Sequence, residues 1–187
     1  MKKIKTSIAN LFIIEKNEIY KDNRGVFFEA WSEKKFEKIK LENYFKQDNI
    51  SISKKNVLRG LHLQINPKSQ LKLVQVLKGK ALDVIVDLRR NSPTFGQHEK
   101  ILLDSNERKM ICIPEGCAHG FLSLEDDTIF AYKCNKIYNP NYEITLHWND
   151  ADLSIKWGIT KPIISKKDKK GISLKDFIKK HNKQWDF

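Results

Sequence analysis

Cysteine is scarce in this 187-residue chain: Cys112, Cys117 and Cys134 are an odd number and form no CxxC pair. That excludes a disulfide-stapled scaffold and argues against thiolate ligation of a metal; apolar or strand-forming neighbours read each as a buried, reduced thiol. Arginine is scarce as well, with five among 35 basic residues. Base reading and phosphate clamping lean on planar guanidinium groups, so the formal charge of +12 does not point to a nucleic-acid partner. Half of that excess lies in Lys161–Phe187, where nine Lys outweigh three Asp for a net +6, a solvated basic segment. Anionic small molecules remain suitable partners. No apolar run is long: the start, MKKIKTSIANLFIIEKNEIY, has a basic flank and a patch, LFII, that Glu15 ends far short of signal-peptide or membrane-span length. A soluble, cytoplasmic protein with no membrane partner is expected. Repeats, low-complexity tracts and Gly/Ser linkers are missing, so residues 1–187 are expected to form one domain, large enough to bury about 70% of its unfolded surface without metal or disulfide.

What is present is strand after strand. LFIIEK, GVFFEAW, NISIS, NVLRGLHLQ, LKLVQVL, ALDVIVDLR, MICIP and TIFAYKCN are rich in β-branched and aromatic residues, and NPKS, KGK, NSPTFG, PEG and NPN break many of them apart. Two segments read as helices: SEKKFEKIKLE from Ser32, and SLKDFIKKH, where Ser173 with Asp176 three positions on forms a capping start. Closely spaced strands with marginal helices predict a mainly β fold, an antiparallel sandwich or barrel.

Two-residue periodicity then places side chains. In ALDVIVDLR, Leu82, Val84, Val86 and Leu88 make one apolar face; Asp83 and Asp87 share the other with Ala81 and Ile85, where they could serve as supports to a site. Lys72 shares a face with Val74 and Val76, while Leu71 and Leu73 cover the opposite side. A lysine so framed either snorkels to the rim, the default from this strand alone, or is held in a pocket. In NVLRGLHLQ, strict alternation puts Arg59 and His62 on opposite faces. Gly60 between them permits a bulge that brings both to one cavity; alternatively Arg59 points to a rim shared with a partner.

PEGCAHGF, residues 114–121, resembles the second motif of the cupin barrels, with Pro114 and Gly116 making the turn that aims His119 inward. A metal-binding cupin would place a further histidine where Gln64 stands and a carboxylate nearby. His62 and His119 alone fall short of the three protein ligands a first-row metal needs, so no metal is expected.

Nine ordered segments, DNRGVFFE, QDN, SKKNVLRGLH, KLVQVLKG, DVIVDLRRNSPTFG, IPEGCAHGF, YKCNKIY, WND and SKKD, carry a further resemblance: the chain is similar, nearly end to end, to the dTDP-4-dehydrorhamnose 3,5-epimerases. The resemblance implies a metal-free, cofactor-free, cupin-like jelly-roll barrel that forms a homodimer and acts on a nucleotide-linked 4-keto-6-deoxy sugar. It implies His62 as base, Asp168 as the carboxylate that orients it, Lys72 as stabiliser of the enolate oxygen and Tyr132 as acid. Inverting a carbon beside a ketone requires those roles. For substrate binding it implies Arg24, Arg59 and Lys167 toward the pyrophosphate, Glu29, Gln47, Asp48 and Asn49 toward the nucleotide, Tyr138 stacked on the base, and His119 and Glu143 on the sugar-nucleotide. Contacts from DNRGVFFE are expected to come from the neighbouring subunit, so the active site would be shared. His98, His147 and His181 match no role. Cys117 stands where the family often has a large aromatic, and INPKSQLK differs from its usual loop. These departures keep a 3-epimerase or ketoisomerase of another dTDP- or GDP-linked keto sugar open, as well as a non-catalytic cupin that binds sugar nucleotides.

Overall fold

The computed structural model describes residues 1–15, 19–41 and 44–181. One antiparallel sheet has six strands in the order β1 (Lys2–Lys5), β2 (Phe12–Glu15), β10 (Met110–Ile113), β7 (Lys72–Lys78), β12 (Thr128–Cys134) and β5 (Gln47–Ser53). A second, of five, runs β13 (Glu143–Thr145), β6 (Leu58–Gln64), β11 (Cys117–Ser123), β8 (Lys80–Asp87) and β9 (His98–Asp104). The non-sequential orders are those of an antiparallel jelly roll, the architecture expected from the sequence. A small ribbon pairs β3 (Tyr20–Asp22) with β4 (Gly25–Phe27).

Between the two large sheets lies an apolar core of Val74, Val76, Ile85, Ile113, Phe121, Phe130 and their neighbours. Phe121 and Phe130 stack with centroids 4.0 Å apart and planes 3° from parallel, which joins the sheets at one point of the barrel. The alternation of β8 divides as expected. Val84, Val86 and Leu88 pack outward under the C-terminal segment against Trp157, Leu174 and Phe177, while Ala81 and Ile85 enter the barrel. A third cluster, on the back of the six-stranded sheet, seats the helix α1 (Glu33–Lys38) through Phe36.

That helix is shorter than its pattern suggests. Lys40 turns to φ +56°, Lys40 N–H donates to Glu37 O, and Leu41 N–H donates to Phe36 O, a Schellman closure in which Leu41 joins the same cluster as Phe36. Glu42, the last residue of the expected helix, and Lys16, the last of LFIIEK, lie outside the described residues. The second helix, α2 (Leu174–His181), starts as expected: Asp176 N–H donates to Ser173 Oγ, and Ser173 Oγ–H donates to Asp176 Oδ2. GVFFEAW forms strand only over Gly25–Phe27, the three residues that pair with β3. The pattern also passes over β9, whose first three residues are His, Glu and Lys. Edge strands tolerate such charge, and only Ile101 and Leu103 are buried there.

Two features position the site. The first is a bulge in β6: His62 pairs with His119 and Arg59 with Phe121, so three residue steps on β6 match two on β11. Gly60 and Gly120 make room for it, since a Cβ on Gly60 would stand 2.5 Å from Gly120 Cα. The second is a double tether of the C-terminal segment. Val57 bridges Ile163 and Leu146 bridges Ile172, and the stretch between turns Asp168 inward in a short 3-10 turn, Asp168–Lys170.

Gly60 also has φ +128°, whereas Gly25, at φ +127°, has open space around it. Replacing Gly60 by Ala is therefore expected to cost about 3 kcal/mol or more of unfolding free energy through steric overlap with backbone. Gly25→Ala should cost only about 1 kcal/mol, for conformation alone. Urea denaturation of the two variants side by side checks the difference; equal losses would contradict it.

Candidate active site

A cavity of about 860 Å³ opens between the sheets, and each sheet contributes one wall. From the six-stranded sheet, the register aligns Lys72, Cys134 and Gln47 in one row and Val74, Tyr132 and Asn49 in the next. From the five-stranded sheet, His119, His62 and Thr145 form a row, with Gln64 and Glu143 beside it. His62, Lys72, Tyr132 and Asp168 all line this one cavity, together with Arg59, Gln47, Asn49, His119, Tyr138, Glu143 and Lys167. The bulge at Gly60 resolves the conflict between Arg59 and His62: both reach the cavity, and Arg59 Nε–H donates to Ser53 Oγ at 3.1 Å.

His62 Nε2 lies 2.7 Å from Asp168 Oδ1. Asp168 is only 3% exposed, so it is not the solvated ion of a lysine-rich loop. Burial pushes its carboxyl up. Hydrogen bonds from His62, from the Gly60 backbone amide and from Ser165, with the positive charge available on His62, outweigh that and hold it below the ordinary aspartate range. An ionised Asp168 only accepts, so Nε2 carries the hydrogen and Nδ1 is left with its lone pair as the basic nitrogen.

Lys72 does not snorkel. It is 8% exposed, faces inward, and its Nζ donates to the His62 carbonyl oxygen at 3.5 Å. Burial lowers its pKa from the usual lysine value, opposed by the nearby carboxylates of Glu143 and Asp83. Burial pushes the Tyr132 phenol up to about 12, so it keeps its proton at neutral pH. Base, ammonium and phenol thus converge from three different strands on one space. That arrangement suits proton abstraction beside a carbonyl, stabilisation of the enolate and return of a proton from another side.

At the mouth, Glu143 accepts from Lys167 and, at 2.7 Å, from the Tyr138 hydroxyl. Burial would raise Glu143, but these bonds and the charge of His62 bring it below its usual value. Gln47 Oε1 accepts from Tyr138 N–H at 2.7 Å and Gln47 Nε2 donates to Asn49 Oδ1 at 2.9 Å. Asp48 also lines the cavity, although it alternates onto the face of β5 that carries exposed Ile50 and Ile52, and Lys133 takes its carboxylate at 2.8 Å. Arg24 and Glu29 are not in this wall. Arg24, with its side chain 86% exposed, forks onto Asp22, and Glu29 pairs with Lys35. Gln64 is spent structurally, donating to Lys68 O and accepting from Asn139 N–H. Among the described residues no group of three or more His, Cys, Asp or Glu is placed to hold a metal.

The wall also contains residues that sequence reasoning passed over. Ser51 follows Gln47 and Asn49 on the period-2 face of QDNISIS, a signal that was available. Gln70 and Cys134 gave no such signal. Cys134 reaches the cavity only because β12 lies between β7 and β5.

A family model described as dTDP-4-dehydrorhamnose 3,5-epimerase matches residues 5–176. The chain belongs to this family. An enzyme of that description from Methanothermobacter thermautotrophicus is 45% identical over 176 residues, 92% of this chain and 94% of its own. The crystal structure of the dTDP-4-dehydrorhamnose 3,5-epimerase from Elizabethkingia anophelis superimposes with a TM-score of 0.88 at 44% identity, covering 94% of this chain and 97% of that one. A dTDP-6-deoxy-D-glucose-3,5-epimerase from Legionella pneumophila, solved in complex with dTDP-4-keto-L-rhamnose, gives 0.87 at 42% identity over 93% of both chains. The protein is therefore an isomerase-class member of the epimerase family, and the cavity is its candidate active site.

Two stability measurements follow from the charges in this cavity. The folded pKa of Asp168 lies below its unfolded value, so its pairing stabilises the fold above the unfolded pKa and is lost as pH falls through the lowered one. Between about pH 5 and pH 3 the native protein should lose stability more steeply than Asp168→Asn; parallel slopes in urea titrations would contradict this. Lys72 is the opposite case. Its charge costs stability at every pH below its lowered folded value, and that cost fades as pH rises from there to the unfolded one. Lys72→Met should melt at a higher temperature than the native protein at pH 7 while losing turnover. A lower melting temperature would show that the ammonium contributes net stability.

Proposed function

We propose that this epimerase inverts C3 and C5 of a nucleotide-linked 4-keto-6-deoxy sugar, dTDP-4-dehydro-6-deoxyglucose, to give dTDP-4-dehydrorhamnose. The observation that carries the reading is the His62–Asp168 pair facing Lys72 and Tyr132 across one cavity. The ligand named for the Legionella pneumophila relative supports the choice of sugar nucleotide. In each inversion Nδ1 of His62 takes the proton from the carbon beside the carbonyl, and Asp168 balances the imidazolium so formed. The electron pair moves to the carbonyl oxygen, where the Lys72 ammonium meets the charge. Tyr132 then gives its proton to the opposite face of that carbon. The resulting phenolate and imidazolium regain neutrality by exchange with solvent before the next inversion.

Arg59 and Lys167 are assigned to the pyrophosphate, Gln47 and Asn49 with Tyr138 to the nucleoside, and His119 and Glu143 to the sugar. Asp48 is retained as a contact at the rim. Arg24 and Glu29 act on the cavity of a second copy in a homodimer, so each site is shared between subunits. The exposed Tyr20 and Phe27 of the β3–β4 ribbon, the latter 68% exposed, support burial of that ribbon against a partner. Residues 1–187 act as one epimerase domain in the cytoplasm, with neither metal nor cofactor. No helix among the described residues is long and apolar enough to cross a membrane.

The test is turnover in heavy water followed by NMR of the sugar. Deuterium is expected at both C3 and C5. Label at C3 alone would reduce the protein to a 3-epimerase, and binding without label would make it a non-catalytic sugar-nucleotide protein. His62→Ala should lower exchange at both carbons by about 10³-fold. Tyr132→Phe should retain exchange from the base side but form little inverted product.

A further inference from the structure

We propose that Asp83 is a positioning residue for the epimerisation: its buried carboxylate fixes His119 with the Nε2 hydrogen turned away from the substrate, and its negative charge supports the Lys72 ammonium that meets the enolate oxygen. The proposal deepens the epimerase reading and rests on it. Asp83 sits on β8 on the inward face with Ala81 and Ile85, is 0% exposed, and is not part of the cavity wall. Substrate cannot touch it, so any part it takes in the reaction passes through a neighbour. His119, which does line the cavity, is that neighbour: its Nε2 lies 2.6 Å from Asp83 Oδ1. The second oxygen, Oδ2, is buried and has no hydrogen-bond partner.

A carboxylate among apolar side chains is costly unless positive charge compensates it, and only one of its oxygens is satisfied by hydrogen bonding. Phe121 pairs with Asp83 in the register of β11 on β8, and Phe130 packs on the His119 ring at 5.9 Å, an apolar setting. Two groups act on the carboxylate there: His119, bonded directly, and the Lys72 ammonium, on which the Asp83 charge acts. His119 and His62 are paired across β11 and β6, and each is bonded to its own buried aspartate. The two dyads differ in what they can do. The His62 carboxylate comes from the C-terminal turn and leaves Nδ1 as a base, while Asp83 orients His119 and adds its charge to the field at Lys72. That charge favours the ammonium form of Lys72, the group that meets the enolate oxygen.

The other ionisable groups facing this pair are Cys117 from β11, Cys134 and Tyr132 from β12, Glu143 from β13, and the His62–Asp168 dyad. All of them remain in Asp83→Asn, which keeps the shape of the side chain and a hydrogen bond to His119 while removing the charge. That variant separates charge from packing. With one anion gone, the Lys72 ammonium loses its proton at lower pH, so the alkaline limb of the kcat profile should move down. At neutral pH kcat should fall about 10- to 100-fold with KM little changed. An unmoved alkaline limb would overturn the proposal, even with lower kcat, because a merely structural pair does not set that limb.

The second measurement needs no variant of Asp83. In native protein labelled with ¹⁵N-histidine, the His119 resonances, assigned by their loss in His119→Asn, should show Nε2 carrying hydrogen. A bare Nε2 with the hydrogen on Nδ1 would mean that Asp83 is protonated and donates, and would overturn the proposal whether or not Asp83→Asn folds. This readout does not depend on turnover. A failure of solvent exchange in the native protein would count against the epimerase reading and leave the tautomer result intact.

Discussion

The backbone of β6 approaches β11 so closely at Gly60 and Gly120 that neither residue has room for a side chain, and the chemistry of the cavity follows from that contact. The extra residue it accommodates changes the face on which β6 presents its side chains between Arg59 and His62. A cation suited to phosphate and an imidazole suited to proton transfer therefore share one cavity. The same irregular stretch offers the Gly60 amide to Asp168, which helps keep that carboxylate ionised despite its burial. A regular strand would have sent one of the two side chains out of the cavity.

Around this contact the barrel accepts several polar groups where apolar ones would pack more cheaply. Lys72, Asp83, His119 and Asp168 are all buried, and each is held by a partner on a different element. Burial alone would push the Asp168 carboxyl up, and its hydrogen bonds hold it down; at Lys72 burial prevails and lowers the lysine value, opposed by the carboxylates nearby. The apolar interior, with its Phe121–Phe130 stack, strengthens those pairings by keeping water away from them. Stability and function are thus opposed at Lys72 and aligned at Asp168.

Much of this was legible beforehand because strands have a short, strict period. The inward set of β8 and the framing of Lys72 follow from alternation, and the Ser173 capping start follows from side-chain hydrogen bonding within four residues. Where local rules met a longer-range constraint they failed. α1 stops at Lys38 because the chain closes onto Phe36 through Lys40 and Leu41, and β9 is a strand because β8 supplies a partner, whatever its own charged residues favour. Strand alternation alone left Lys72 either at the rim or in a pocket, because one strand cannot show that β12 and β6 enclose its ammonium.

The sequence by itself determined a mainly β chain, the faces of its central strands, and which side chains have the chemistry for proton transfer, since these depend on residue type and on spacings of two to four. Tertiary structure alone decided that Asp168 meets His62 across 106 positions and that Asp83 lies under His119. Those outcomes depend on sheet order, on one bulge and on two bridges that tether the C-terminal segment. They arise when distant strands pair, and no local pattern encodes the distance between them.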